Sequence, residues 1–447
     1  MARFVGEGML SGILNAPVDY DRGRSGPKRI LHVFDHSLPL LSGYSVRSHS
    51  LLRAQKNIGL VPEALTGPLH QLEELEGEDV TVSGVSYRRT HLTSGFQRHL
   101  VERRLPALRE SAIVWLFRNR ILKLIDSQSF DILHAHSPSL CGLAALQAGA
   151  MHGIPVVYEI RAFWEDAAVD QKKMSAHSVR YYLSRQLEQF VVRRADAVVG
   201  IARHILDDLQ KRGVNSRKLF HVPNGVDVAR FAKVPRDLEL ASQLGLAGEP
   251  VLGFIGSLYR YEGLSWLVRA SAQLRRQGAS FQIVIAGQGE EMPEIRDAIR
   301  EVGAQSYVKL VGQVPHDQVH RYYSLIDIMV YPRRSVRLTE LTTPLKLLEA
   351  MAQGKAVLAS DVGGIRELVG PEPPCVLFDP DDVEAFCRRA TQLICDPEFC
   401  RDLGEKARQM VLREKDWNLQ ARRYKAVYAF AAGMHQEREM KRGAGWE

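Results

Sequence analysis

Cysteine is scarce in this chain: five in 447 residues, at Cys141, Cys375, Cys387, Cys395 and Cys400, with no Cys-x-x-Cys pair. An odd count without paired spacing speaks against a disulfide framework or a zinc site and leaves buried, reduced thiols. Long apolar runs are missing too. The stretch Leu140–Tyr158 lacks charge, but Gly149, His152, Gly153 and Pro155 interrupt it, so it reads as a buried helix, a turn and a strand. The first 27 residues lack a continuous apolar core with a cleavage site, so no secretory leader is expected. Gly, Asp, Arg and Pro dominate Pro17 to Pro27, and residues 1–28 are expected to form a flexible tail. Low-complexity segments and short repeats are absent. Carboxylates spaced for a metal are few: Asp19 and Asp21 fall in the tail, Asp379 and Asp381 in a turn. No metal is therefore expected.

What is present is the composition of a soluble globular protein, 45% hydrophobic and 25% charged, with length enough for two or three domains. The net charge of +7 is unevenly placed. Residues 1–222 hold 29 Lys and Arg against 22 Asp and Glu, whereas residues 223–447 hold 30 of each. Arg98 to Lys123 concentrates Arg98, Arg103, Arg104, Arg109, Arg118, Arg120 and Lys123. Apolar residues from Leu105 to Leu122 interleave with them. The plain reading is a surface helix pair broken near Pro106. The sharper reading is contact with anionic lipid headgroups or a lipid-phosphate acceptor. No stacking platform or binding motif accompanies the charge, so nucleic acid is not expected.

Strand-like runs alternate with helical patterns. Arg29–Phe34 is followed by a helix over Val46–Ile58, then by candidate strands Asp131–Ala135, Pro155–Glu159 and Ala197–Ile201. The alternation restarts at Pro250–Gly256 and continues through strands Phe281–Ala286, Tyr307–Val311 and Asp327–Tyr331. Asp396–Gly433 reads as helical. Two such series imply an α/β chain of two doubly wound parallel sheets. Expected boundaries are 29–222 for the first domain, 223–249 for a linker, 250–416 for the second domain and 417–447 for a closing helix and tail. Ligands in such folds sit beyond the carboxyl ends of strands. Gly43, Gly256, Gly287, Gly289 and Gly312 all fall there, which points to a cleft lined by backbone.

The stretch Arg333–Gly364 carries most information. Thr343 is expected at a helix N-cap, Pro344 at the first helical position and Gly354 past the end, before a strand AVLASDV. Free N–H groups and the helix dipole attract phosphate. Lys346 lies in the first turn, and Glu349 follows on the same face. A cation beside a phosphate site with a carboxylate one turn deeper suits a nucleotide: charge for the phosphates, an acceptor for the ribose.

Ordered segments then carry a resemblance. They are Leu38–Gly43, FDILHAH at Phe130–His136, IPVVYE at Ile154–Glu159, HVPNGVD at His221–Asp227 and GFIGSLYRYEG at Gly253–Gly263. IVIAGQGEE at Ile283–Glu291 and ASDVGGIRELV at Ala359–Val369 complete the set. Together with the opening stretch they resemble the large group 1, family-four class of retaining GT-B glycosyltransferases, which includes exopolysaccharide and lipopolysaccharide sugar transferases. The resemblance covers roughly residues 29–430. It implies two Rossmann-like domains facing across a cleft, with a helix around Trp417, Tyr424 and Tyr428 crossing back to the first. It further implies a nucleotide-sugar donor on the second domain, a glycan or polyprenyl-linked acceptor on the first, and metal-independent transfer of a hexose-type sugar with no cofactor, the nucleotide sugar being a substrate. A cytoplasmic enzyme is expected, peripheral at the inner membrane face.

Within the resemblance Glu349 matches the second Glu of a paired motif and would hold the ribose. The first Glu belongs eight positions earlier, where Leu341 stands, with Glu340 one residue further out. The backbone of Leu341, Thr342 and Thr343 would face sugar and diphosphate. Ser257 and Glu262 occupy the places of an Arg and a Lys that usually meet the diphosphate. Lys346 is the first replacement, Arg260 the second, and Arg333, Arg334 and Arg337 are remoter; for Arg333 and Arg334 a solvated loop is an equal expectation. Arg161 stands where many members have a His. It would stabilise charge on donor or acceptor but is a poor base. Glu165 and Asp166 are candidate bases or helix-cap residues, and His136 is an acceptor-side candidate. The expected catalytic set is Arg161, Glu340 and Lys346. Two alternatives stay open: a sugar-nucleotide epimerase of the same architecture, and a non-catalytic sugar-nucleotide-binding protein.

Overall fold

Strands form where aliphatic runs lie between glycine- or proline-marked loops. The computed structural model describes residues 28–40, 42–70, 79–92, 94–102, 105–246, 248–315 and 318–443. Residues 1–27 of the expected tail, with Asp19 and Asp21, and the basic pair Arg103–Arg104 lie outside the described residues.

The first sheet has eight strands: β1 (Arg29–Phe34), β2 (Val61–Thr66), β3 (Val80–Val82), β4 (Val85–Arg89), β5 (Ile132–His136), β6 (Val156–Ile160), β7 (Ala197–Gly200) and β8 (Leu219–His221). Their order is β3-β4-β2-β1-β5-β6-β7-β8, and all neighbours are parallel except β3 and β4. The second sheet has six strands: β9 (Val251–Ile255), β10 (Gln282–Ala286), β11 (Val308–Gly312), β12 (Ile328–Tyr331), β13 (Ala356–Ser360) and β14 (Val376–Phe378). It is all parallel in the order β11-β10-β9-β12-β13-β14. Helices cover both faces of such sheets, so the inner strands are buried along their whole length rather than on alternate residues. The expected doubly wound architecture is present twice.

Strand order reverses beside β1 in the first sheet and between β9 and β12 in the second. A crevice opens at such switch points because successive crossovers leave on opposite faces. The loops after β9 and β12 meet at the second one. The helices that shape it are α1 (Gly43–Asn57), α2 (Pro106–Ser127), α3 (Trp164–Asp170), α4 (Arg203–Lys211), α5 (Arg337–Leu341), α6 (Leu345–Ala352), α7 (Gly363–Val369) and α8 (Trp417–Gly443).

Three expectations change. The helix expected from Val46 begins at Gly43, because Ser42 accepts the Ser45 N–H at 3.1 Å and caps it. The helical stretch expected over Asp396–Gly433 resolves into two helices, Pro397–Glu414 and α8, the second running on to Gly443. They break at Lys415–Asp416, where Val226 donates its N–H to the Lys415 carbonyl at 2.8 Å. The stretch 223–249, expected as a linker, gives Val226, Phe231, Leu240, Ala241 and Leu246 to the core of the second sheet.

Trp417, Ala421, Tyr424, Val427, Tyr428 and Ala431 form one stripe of α8 at helical spacing. The stripe packs on Ile30, Ile132, Val157 and Val199 of the first sheet, so the closing helix does cross back. Gly225 admits this contact: a Cβ there would lie 2.9 Å from the Trp417 ring.

Candidate active site

The turn after β9 is built by glycines. Gly256 has φ +145° and Gly287 φ +147°, conformations that cost a side-chain-bearing residue strain. A Cβ on Gly287 would stand 1.8 Å from the Gly256 carbonyl oxygen, and one on Gly289 would stand 2.3 Å from the Leu258 carbonyl oxygen. The loops after β9 and β10 therefore touch backbone to backbone, with Leu258 N–H bonded to the Gln288 carbonyl at 3.0 Å. These glycines, expected to line the cleft, fix the position of Ser257 instead of merely freeing space. Gly43 is exposed at the first position of α1, with nothing near its Cβ position.

Lys346 reaches this turn from α6. Its Nζ lies 2.8 Å from Glu262 Oε1, 3.4 Å from the Ser257 carbonyl oxygen and 4.5 Å from the centre of the Phe254 ring. A Cβ on Gly256 would come within 3.0 Å of Nζ, so glycine is what lets the ammonium lie against the turn. Burial lowers the pKa of Lys346, Glu262 opposes that effect and Arg333 adds to it. Glu262 is only 1% exposed. It also accepts two bonds from Arg333, Nε to Oε2 and Nη2 to Oε1, each at 3.1 Å. Burial works against ionising Glu262, yet Arg333 and Lys346 hold its carboxyl below the usual range. Arg333, for which a solvated loop was an equal expectation, is buried.

The helix start differs by one residue from expectation. Pro344 occupies the N-cap and the helix begins at Leu345. Thr343 does not cap: its hydroxyl and carbonyl oxygens both accept from Asn224 Nδ2, at 2.9 and 2.8 Å. Thr342 gives its hydroxyl to the Leu338 carbonyl, and its own carbonyl packs 1.9 Å from where a Gly364 Cβ would be. Leu341 packs against the first domain's core. Glu349 accepts from the Tyr323 hydroxyl at 3.1 Å, and burial raises its pKa. Glu340 is committed elsewhere: it accepts the Gly363 N–H at the start of α7 at 2.7 Å and the Ser335 hydroxyl at 2.7 Å. Arg260 pairs with Glu294 at 2.5 Å.

Arg337 crosses between domains, from α5 to Asp166 on α3 and Asp208 on α4, each at 2.8 Å. Asp166, expected as a base or cap, is thus an ion-pair partner and also accepts from Tyr181. Both Glu165 and Asp166 lie buried in the first turn of α3, as cap-region acids do. Burial raises the pKa of Glu165.

The other first-domain candidates lie inside the sheet. Arg161 spends its guanidinium on Glu159, the Tyr44 carbonyl, the Ser48 hydroxyl and His136. It is 6% exposed, so its charge is met within the protein and not across the cleft. His136 is fully buried against His32 and Arg161, which removes it from the acceptor side. Sequence reading missed the centre of this network, Glu159. Arg47 and Arg161 donate to it, as does Tyr424 of α8. Arg47 also donates to Asn224 at 2.6 Å, so bonds run from β6 to Thr343 beside α6. The signal in the sequence was a charged residue closing an aliphatic strand; its partners are all distant. Among the described residues, His32, His134 and His136 are the one group with ligand atoms converging, within 4.8 Å. Burial holds His32 at about 4 and the other two well below the usual value. The neutral rings form a hydrogen-bonded chain from Gln55 through His32 to His136, with His134 bonded to Tyr428.

Comparison with known proteins bears on the whole arrangement. Residues 238–410 match the family model for glycosyl transferases group 1, and residues 69–230 match that for glycosyltransferase family 4. The chain belongs to the group 1 glycosyltransferases. It is 27% identical over 259 residues to the 2-deoxystreptamine glucosyltransferase of Streptomyces kanamyceticus, covering 57% of this chain and 65% of that one. It is 28% identical over 240 residues to the lipopolysaccharide 1,2-N-acetylglucosaminetransferase of Salmonella typhimurium, covering 51% and 61%. The chain thus spans less than two thirds of either relative. HepE of Anabaena, solved with UDP and glucose, superposes with a TM-score of 0.68 at 17% identity, over 89% of this glycosyltransferase and 98% of HepE. That likeness shows the shared GT-B fold.

Proposed function

We propose that this glycosyltransferase moves a hexose-type sugar from a nucleotide-sugar donor to a glycan or lipid-linked acceptor, with retention, in exopolysaccharide or cell-envelope polysaccharide synthesis. The observation that carries the donor assignment is the placement of Lys346. A half-buried ammonium lies at the amino end of a helix and against the glycine turn, at the switch point of the second sheet, with Glu349 one turn deeper. Binding of UDP by the similarly folded HepE supports the same reading. The diphosphate sits at the turn, and the ribose hydroxyls donate to Glu349. Charge developing on the departing diphosphate meets Lys346 and the helix N–H groups, which are already oriented. The acceptor attacks the face from which the diphosphate leaves, and a phosphate oxygen takes its proton. No protein base, metal or further cofactor enters this scheme. A thermal-shift panel of UDP-, GDP- and ADP-sugars tests it: at least one should raise the melting temperature, and no response to any of them would refute the donor site.

The acceptor is proposed to be membrane-borne. No helix among the described residues is long and apolar enough to cross a membrane, but the basic half presents apolar residues to solvent. Most apolar side chains of α2 are buried, including Ile113, Leu116, Phe117 and Ile121. Phe96, Leu105, Leu108 and Trp115 are exposed, and so is Arg109. Arg120 is not available: its Nε bonds the Arg89 carbonyl at 2.9 Å. The variant L108S/R109Q/W115S should therefore lose most co-sedimentation with phosphatidylglycerol vesicles. Unchanged sedimentation would sink the membrane assignment.

A further inference from the structure

Glu262 presents a problem that the proposed donor site does not solve. A carboxylate stands against the Lys346 ammonium at the phosphate turn, where it should weaken anion binding. The geometry resolves this through Arg333. The loops carrying the two residues are locked together: Arg334 N–H bonds the Tyr261 carbonyl at 3.0 Å, and a Cβ on Gly263 would stand 2.2 Å from the Pro332 carbonyl oxygen. Arg333 lies across the Tyr261 ring at 5.5 Å and grips both Glu262 oxygens. Its guanidinium has the planar fork that such a two-point bond requires.

We infer that Glu262 and Arg333 form a positioning pair for Lys346: Arg333 neutralises Glu262, and Glu262 in turn holds the ammonium against the Gly256–Ser257 turn, ready for a diphosphate. The inference rests on the donor reading given above and assigns to two residues a task it left open. A Lys on a flexible stem must lose rotamer freedom to bind phosphate. A carboxylate at 2.8 Å fixes that freedom beforehand. With the Glu262–Arg333 pair neutral overall, the cluster of Glu262, Arg333 and Lys346 keeps one positive charge. The charged groups facing Lys346 are Glu262 before the helix that follows β9, Arg333 after β12, and Glu349 on its own helix. Glu262 favours the charged ammonium and Arg333 disfavours it. The two variants must therefore move the titration of Lys346 in opposite directions.

The test measures binding of UDP, GDP or ADP, whichever the wild type binds tightest, and of the matching nucleoside, from about pH 6 to about pH 10. Diphosphate affinity should fall as Lys346 deprotonates. In E262Q that fall should come about one pH unit or more lower, and in R333Q about one unit or more higher. R333Q should also weaken diphosphate binding about tenfold near neutral pH, because Glu262 then neutralises Lys346. E262Q/R333Q should recover to within about threefold of wild type, and nucleoside affinity should not change in any of them. If E262Q does not fold, R333Q and the double variant still decide. Shifts in the same direction, no shift, or parallel losses for diphosphate and nucleoside would overturn the inference while leaving the donor site standing. A wild type that binds none of the three diphosphates would remove the donor site and this inference together.

Discussion

Lys346→Ala is expected to weaken nucleotide-sugar binding roughly 100-fold while leaving the protein folded. The side chain is 16% exposed and close to the turn. A charge-assisted bond to a phosphate oxygen is worth about 1.5–3 kcal/mol, and more in a site from which water is excluded. Folding should suffer little, because Glu262 keeps its two bonds from Arg333 when the ammonium is gone. Calorimetry with the preferred nucleotide sugar measures the loss, and urea denaturation checks the fold. Lys346→Arg should not restore affinity. The planar guanidinium is bulkier than the ammonium, and it must fit between the Phe254 ring and a turn whose Gly256 Cβ position is already 3.0 Å from Nζ. If Lys346→Ala binds the donor as tightly as wild type, the phosphate assignment is wrong.

Glu159→Gln should cost about 3–5 kcal/mol of stability, the largest loss expected from any single near-isosteric change here. The carboxylate is fully buried. Burial alone would keep it neutral, but Arg47, His136 and Arg161 outweigh burial and hold its carboxyl well below the usual range. Neutralising it leaves two buried guanidinium groups facing an amide, and Tyr424 loses an anionic acceptor. The sign of the pH effect follows. A depressed carboxyl contributes stability above its unfolded value, and that contribution is lost as pH falls through the folded value. The gap between wild type and Glu159→Gln should therefore narrow in acid. Denaturant midpoints across acidic to neutral pH measure it. An equal midpoint for the two proteins at neutral pH would mean that Glu159 does not anchor α8.

The contrast between these two sites shows what a sequence makes legible. Lys346 and Glu349 could be read because a helix places residues three apart on one face, and a loop–helix junction has its own residue signals. The two parallel sheets were legible from aliphatic runs between glycine-marked loops. What was lost depends on distant partners. Thr343 looked like a cap because its neighbours suit one, but Asn224 claims its hydroxyl from 119 positions earlier. Arg333 and Arg334 looked like solvated loop residues. One of them is buried only because Glu262, on another loop, is there to receive it. Ser257 and Glu262 were recognised as missing cations, but nothing local announced that the carboxylate would be matched by an arginine. Arg161 carried the right charge for a cleft and is spent on Glu159, two residues away along the same strand end.

Sugar transfer itself gives the most direct test of the central claim. The purified protein is incubated with the nucleotide sugar that it binds and with lipid-linked and glycan acceptor fractions, and all products are resolved by mass spectrometry. The account predicts release of the nucleoside diphosphate matched by gain of one hexose on an acceptor, with both lost in Lys346→Ala. Conversion of the nucleotide sugar into an epimer, or tight donor binding with no diphosphate released in the presence of any acceptor, would contradict it.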